Sequence, residues 1–349
     1  MGMGASIDNT AVRSDLRALY GLAGSTPVVF LAPMSGVTDL PFRRIAARFG
    51  CDVVVTEMVA SEALAEGNAD MRLRLAGEGV SPHVVQLAGR EPHWMAEAAR
   101  MAEANGADVI DINMGCPAKR VTTGWSGAAL MRDLDLAISL IRATVEAVPL
   151  PVTLKMRLGW DRASMNAPEL ARRAEAEGIR LITVHGRTRD QFYEGSADWE
   201  AIGSVRAATT LPLVANGDVQ GFDDAEAILS ASGAEGVMLG RGAQGRPWLP
   251  GAISRYFATG EREGGPEGPQ LASLIVSHHQ AMIEHYGLPK GIRAARKHLD
   301  WYLDAADLDG AIPSDLRRTI LTSLDACEVQ RLVPEAVAAA SASHVRRAA

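Results

Sequence analysis

Cysteine is scarce: Cys51, Cys116 and Cys327 are the only three in 349 residues. They are too few and too scattered for a disulfide scaffold or a zinc cluster, which fits a reducing compartment. Long apolar runs are missing as well. None reaches the ~18 residues that a bilayer span needs, so no membrane-embedded function is expected. The opening residues MGMGASIDNT show no basic stretch followed by an apolar one, and so do not read as a secretory signal. Gly2 and Ser6 fit the myristoylation pattern, but so short and loose a pattern often matches by chance. Positive charge is not in excess either. Lys and Arg total 35 against 42 Asp and Glu, a net charge of −7, which works against nucleic-acid binding. At 47% hydrophobic and 22% charged, the chain has a globular composition that excludes disorder. A cytoplasmic protein with one large domain, and at most one small one, is expected.

What the sequence does contain is alternation. Short β-rich runs occupy Val28–Met34, Asp52–Met58, His83–Ala88, Asp108–Met114, Pro151–Leu158, Leu181–Gly186, Pro212–Gly217 and Gly236–Gly240. They are apolar nearly throughout, as parallel strands buried on both faces are. Amphipathic stretches such as Pro92–Asn105, Leu134–Ala147 and Pro168–Glu177 lie between them, and Gly50, Gly106 and Gly178 stand where helices must stop. Eight βα units of about 30 residues read as an α/β fold, a (β/α)8 TIM barrel over residues 28–257, with a doubly wound sheet as the alternative. Residues 1–27 form an extension ahead of it. After the barrel, the Gly/Pro/Glu-rich stretch 258–269 reads as a linker. Helical patterns then run through 270–335 as a small C-terminal helical domain, in three pieces: Gln270–Tyr286, Gly291–Ala305 and Ser314–Arg331. The Ala/Ser-rich tail 336–349 is expected to fray.

In a barrel, chemistry sits where the strands end. Those ends here carry Pro33-Met34-Ser35, Gln86, Asn113 through Cys116, Lys155-Met156-Arg157, His185-Gly186-Arg187, Asn216-Gly217-Asp218 and Gly240-Arg241. So many polar groups would make a poor core; converging on one mouth, they make a site. Gly240 through Gly245 fits G-x-G-x-x-G, but no second strand ending in an acid follows, so a dinucleotide fold is disfavoured. A phosphate site around Arg241 is the favoured reading, and a glycine turn needed only for packing is the alternative. Cys116 lies in a turn between Gly115 and Pro117 just past a strand, as a catalytic thiol would, whereas Cys51 and Cys327 read as buried and inert. No metal site is expected. Lys155 would be costly to bury unless it faced an anion or an electron-rich ring.

Six blocks in order, Ala32 through Asp39, Asp111 through Pro117, Lys155-Met156-Arg157, Val184 through Thr188, Asn216-Gly217-Asp218 and Gly240-Arg241, resemble the tRNA-dihydrouridine synthases, most of all their bacterial B-type branch. The match continues through Ala295-Arg296-Lys297-His298 and Trp301-Tyr302 in the helical region. The resemblance implies an FMN enzyme that uses NADPH to reduce the C5–C6 double bond of uridines in tRNA, with residues 270–335 recognising the tRNA. It implies flavin contacts at Pro33, Met34, Ser35, Gln86, Lys155 and His185, and a phosphate held by Asn216, Gly217, Asp218, Gly240 and Arg241. Asn113 and Arg157 would grip the uracil, and Cys116 would donate the proton.

That assignment is chemically coherent. Hydride arriving at uracil C6 leaves an enolate-like anion, and an acid on the opposite face must protonate C5. Such an acid keeps its proton at working pH, unlike a nucleophilic thiolate. The base must also leave its stack, at a cost of a few kcal/mol. Lys290, Arg293, Arg296 and Lys297 fall on one helical face with no acid among them, and with Lys119 and Arg120 near the mouth this face is expected to track the tRNA backbone. No obligate protein partner is evident. The nearest alternative is a small-molecule FMN barrel enzyme acting on a free pyrimidine, which would have no use for a basic helical domain.

Overall fold

The computed structural model describes residues 9–348, so the Gly2–Ser6 pattern lies outside the described residues. Nine strands form one parallel sheet: β1 (Val28–Leu31), β2 (Val53–Val55), β3 (Val59–Ala60), β4 (His83–Ala88), β5 (Val109–Met114), β6 (Val152–Arg157), β7 (Ile182–His185), β8 (Leu213–Asn216) and β9 (Gly236–Leu239). β1 pairs with β9 on one side and β2 on the other, and β2 pairs with β4, which closes the sheet into a barrel. The two-residue β3 only extends that seam along the end of β4. Helices connect the strands, so the TIM barrel is the fold. Gly50, Gly106 and Gly178 take left-handed φ values of 89°, 80° and 94°, the helix stops their positions suggest.

Period-2 alternation separates two cores. Outward residues such as Val29, Val85, Ile110, Ile112, Leu154, Met156 and Val184 pack under the surrounding helices. Inward residues Val28, Phe30, Val84, Val109, Val214 and Met238 fill the barrel's interior. The stretch before β1 joins that interior. It contains a helix, Asn9–Leu19, whose Leu16 is fully buried, and Tyr20 meets the Phe30 ring edge-on at 5.4 Å.

The region after the barrel departs from the expected boundaries. A helix persists to Thr259 and the next begins at Gly268, so the connection is 260–267. Two long helices, Gly268–Tyr286 and Leu288–Ala306, precede a third pattern that is split in two, Ser314–Thr322 and Ala326–Ala348. The split falls where Asp325 accepts the Cys327 amide at 2.8 Å and starts a new helix. Cys327 is exposed rather than buried. The tail expected to fray is helical to Ala348, and Ala336, Val337 and Ala340 are buried against Leu271, Ile275 and Leu303. Small residues at i, i+1 and i+4 form a close-packing stripe there, which composition alone disguised. Among the described residues no helix is long and apolar enough to cross a membrane.

Candidate active site at the barrel mouth

The same alternation that builds the interior core lifts polar side chains to its upper rim. Gln86, Asp111, Asn113, Lys155, Arg157, His185 and Asn216 point inward at the strands' C-terminal ends and are buried. Register then decides who meets whom. Asn113 lies beside Lys155, Arg157 beside His185, and His185 beside Asn216.

An ordered chain of amides begins at Asp111. Its carboxylate accepts from Thr153 Oγ1 at 2.7 Å and from Gln86 Nε2 at 2.7 Å. Because a carboxylate only accepts, it fixes which way the Gln86 amide points. Gln86 Oε1 therefore faces Asn113 Nδ2, 2.8 Å away, and Asn113 Oδ1 in turn accepts the Cys116 amide at 3.0 Å. The principal work of Gln86 and Asn113 in this structure is to orient the Cys116 turn. That leaves each only a residual hydrogen or lone pair for the flavin or uracil contact implied by the resemblance. Burial raises the pKa of Asp111, and its bonds to Gln86 and Thr153 and the nearby Lys155 oppose the rise. Sequence reading passed over Asp111, although a lone acid at an inward position of V-I-D-I-N-M was the available signal.

Lys155 donates to Asn216 Oδ1 at 3.1 Å, and Asn216 Nδ2 donates to the Met238 carbonyl at 2.8 Å. Burial, aided by Arg157, pulls the Lys155 ammonium down to about 8, against the pull of Asp111 and Cys116. Arg157 is less available for substrate than expected. Its Nε donates to the Gly115 carbonyl at 2.8 Å and Nη1 to the Thr188 carbonyl at 2.7 Å, so it clamps the Cys116 turn to the loop after β7. Cys116 itself is half-buried, while Cys51 is buried far from the mouth with its Sγ on the Val53 carbonyl.

Arg187 is the functional residue the sequence reading quoted without assigning a role. Fully buried, it donates to both carboxylate oxygens of Asp218, at 2.9 and 2.5 Å, and to the Gly195 carbonyl. Arg241 reaches the same carboxylate at 3.2 Å. The Asp218 carboxylate is thus engaged by two guanidiniums, and by its charge it would repel a phosphate rather than hold one. It aims Arg241 instead. Burial pushes the Asp218 pKa up, but Arg187, the Ala197 amide and Arg241 outweigh this and hold it below its ordinary value. Arg187 Nη1 also lies 3.3 Å from His185 Nε2. A guanidinium cannot accept, so Nε2 carries the lone pair and Nδ1 the proton. Burial first, then Arg157, Lys155, Arg187 and Arg241, drive the His185 pKa well below its usual value and keep the ring neutral.

Glycines let the backbone beside these cations pack tightly on its own neighbours. Gly217 has φ 132°, and a Cβ there would stand 2.6 Å from the Ala197 side chain; one on Gly242 would stand 2.2 Å from the Val219 carbonyl. Arg241 begins a short 3-10 turn, Arg241–Ala243, and its side chain is half exposed. Met34 packs near Gly240, and the Pro33-Met34-Ser35 turn is tied down by the Met34 amide on Thr38 Oγ1 at 2.8 Å.

The basic face of the C-terminal helices is not the single free stripe expected. Lys290 pairs with Asp70 at 2.6 Å, Arg296 donates to the Thr322 carbonyl at 3.0 Å, and only Arg293 of the four is exposed without such a diversion in view. Lys297 leans toward the mouth, its Nζ sitting where a Cβ on Gly36 would come within 2.9 Å. Among the described residues no cluster of ligands could hold a metal ion.

Residues 30–340 match the family described as dihydrouridine synthase. A probable tRNA-dihydrouridine synthase of Rhizobium leguminosarum bv. phaseoli is 57% identical over 86% of this chain and 92% of its own length. One from Rhodobacter capsulatus is 53% identical over 80% and 87%. The tRNA-dihydrouridine synthase B of Xanthomonas axonopodis pv. citri is 48% identical over 79% and 83%. Among solved structures, the 6-hydroxypseudooxynicotine amine oxidase of Pseudomonas geniculata superimposes with a TM-score of 0.52 at 15% identity, over 77% of this chain and 53% of that one. That likeness concerns the barrel fold alone.

Proposed function

The chain belongs to the dihydrouridine synthase family, and from that premise we propose that it reduces the C5–C6 double bond of uridines in tRNA with FMN as cofactor and NADPH as reductant. The observation that carries this reading is the chain of amides from Asp111 through Gln86 and Asn113 to Cys116, which holds one thiol at the rim of a cationic, buried mouth.

The residues present fit a phosphate-bearing flavin. Lys155 has three donors and gives one to Asn216, and Arg241, half exposed, is aimed by Asp218. When bound there, the flavin would supply hydride to uracil C6. Lys155 and Arg241 would hold the cofactor's ring edge and phosphate, and Pro33, Met34, Ser35 and neutral His185 would contact its ring. Cys116 holds the proton destined for C5, and Arg157 keeps its turn in place. Arg293, Lys297, Lys119 and Arg120 are the cations left to meet the tRNA backbone, so the C-terminal helices contribute to recognition. Such a substrate sets the work in the cytoplasm. The test is mass spectrometry of total tRNA from a strain lacking this chain. One or more dihydrouridines should vanish and return with a plasmid copy; persistence of every one contradicts the reading.

A further inference from the structure

Trp125 lies on the loop behind Cys116 and combines two features that each need a reason. Its side chain is 49% exposed, and its φ is 57°, a left-handed conformation that disfavours a bulky residue. The loop it rides on is not loose. The Ala128 amide donates to the Cys116 carbonyl at 3.0 Å, and a Cβ on Gly127 would fall 2.9 Å from that same oxygen. Trp125 is therefore held on the backbone that encloses the thiol.

A ladder of cations and rings supports it. Arg132 stands 5.4 Å from the Trp125 ring and 4.9 Å from that of Trp160. Arg189 stands 4.6 Å from Trp160 and 4.7 Å from Phe192, and donates to Thr122 Oγ1 at 3.3 Å. The ladder runs across the loops after β5, β6 and β7. Within it Trp160 has two cations over its ring, whereas Trp125 is its outer rung, with one cation neighbour and half its surface in solvent. Cation–π contact fixes an indole without covering both its faces.

We propose that Trp125 is a stacking platform for a nucleobase adjacent to the target uridine. This rests on the reading of tRNA as substrate. Extruding one base exposes a face of its neighbour, and an aromatic plane at the rim replaces the lost stack. The platform tolerates any base, so it contributes to KM for tRNA rather than to choice of sequence.

The test uses the flavin-loaded protein and undermodified tRNA. Trp125→Ala should raise KM for tRNA about ten-fold, as loss of one base–aromatic stack does, with kcat changed less than two-fold. Trp125→Phe should recover most of that loss, and Trp125→Leu, apolar but without a π face, should resemble Ala. An unchanged KM in Trp125→Ala, or Leu performing as well as Phe, overturns the platform. If the wild-type protein leaves tRNA unreduced, the functional reading falls and this inference falls with it.

Discussion

The barrel mouth and the seam between barrel and C-terminal helices both bury polar side chains, with opposite bookkeeping of hydrogen bonds. At the mouth each buried amide or cation bonds a neighbour, from Asp111 to Cys116 and from Arg187 to Asp218. At the seam, His278 and His298 meet edge to face, their ring centroids 4.8 Å apart, among Phe42, Trp301 and Tyr302. His278 Nδ1 meets the Tyr302 hydroxyl at 3.1 Å, but among the described residues nothing bonds His278 Nε2 or either nitrogen of His298. The seam treats its histidines as neutral aromatic bodies. Burial, reinforced by His279, takes His278 down to about 3; burial, with His278 and Lys297, takes His298 well below its ordinary value. The mouth is built to receive charge and the seam to refuse it.

The largest consequence of that contrast is at the seam. A histidine whose pKa is depressed by folding loses stability as pH falls below ~6.5, because only the unfolded chain takes the proton. Each such histidine removes about 1.4 kcal/mol per pH unit, so the pair should cost about 5 kcal/mol between pH 6.5 and 4.5. Urea unfolding across that range measures it. A His298→Leu variant should remove half of the pair's share of that loss, while His185 at the mouth, depressed as well, keeps contributing its own; an unaltered slope would contradict the seam's role. At the mouth, Arg187→Ala should destabilise by about 2–3 kcal/mol, less than a fully buried pair because Asp218 retains solvent contact. Arg241, no longer held opposite Arg187 on a shared carboxylate, should also bind flavin less well. Arg241→Ala has the smaller effect: about 2 kcal/mol in flavin affinity with stability nearly intact, read by dilution of the yellow protein. Wild-type flavin retention would remove Arg241 from the phosphate site.

The contrast also explains what was legible in the sequence. Barrel strands and their ends were readable because burial on both faces leaves apolar runs that polar rim residues interrupt. Lys155, His185 and Asn216 needed nothing more. Arg187 and Asp218 lie 31 residues apart, and only barrel closure shows that one aims Arg241 through the other. The partners of the basic helix were hidden for the matching reason. Its spacing was real, but Asp70 and the Thr322 carbonyl, which divert Lys290 and Arg296, come from distant segments. The seam histidines look like ordinary polar residues until packing surrounds them with rings.

The central claim is that Cys116 is the proton donor at a mouth otherwise devoted to holding flavin and base. Stopped-flow absorbance of Cys116→Ala tests it, first with NADPH and then anaerobically with undermodified tRNA. Flavin reduction by NADPH needs no acid at C5 and should proceed nearly as in the wild type, while reoxidation by tRNA should slow at least ~10²-fold. Cys51→Ala should leave both phases unchanged. Reoxidation of the Cys116→Ala protein by tRNA at the wild-type rate would contradict the assignment.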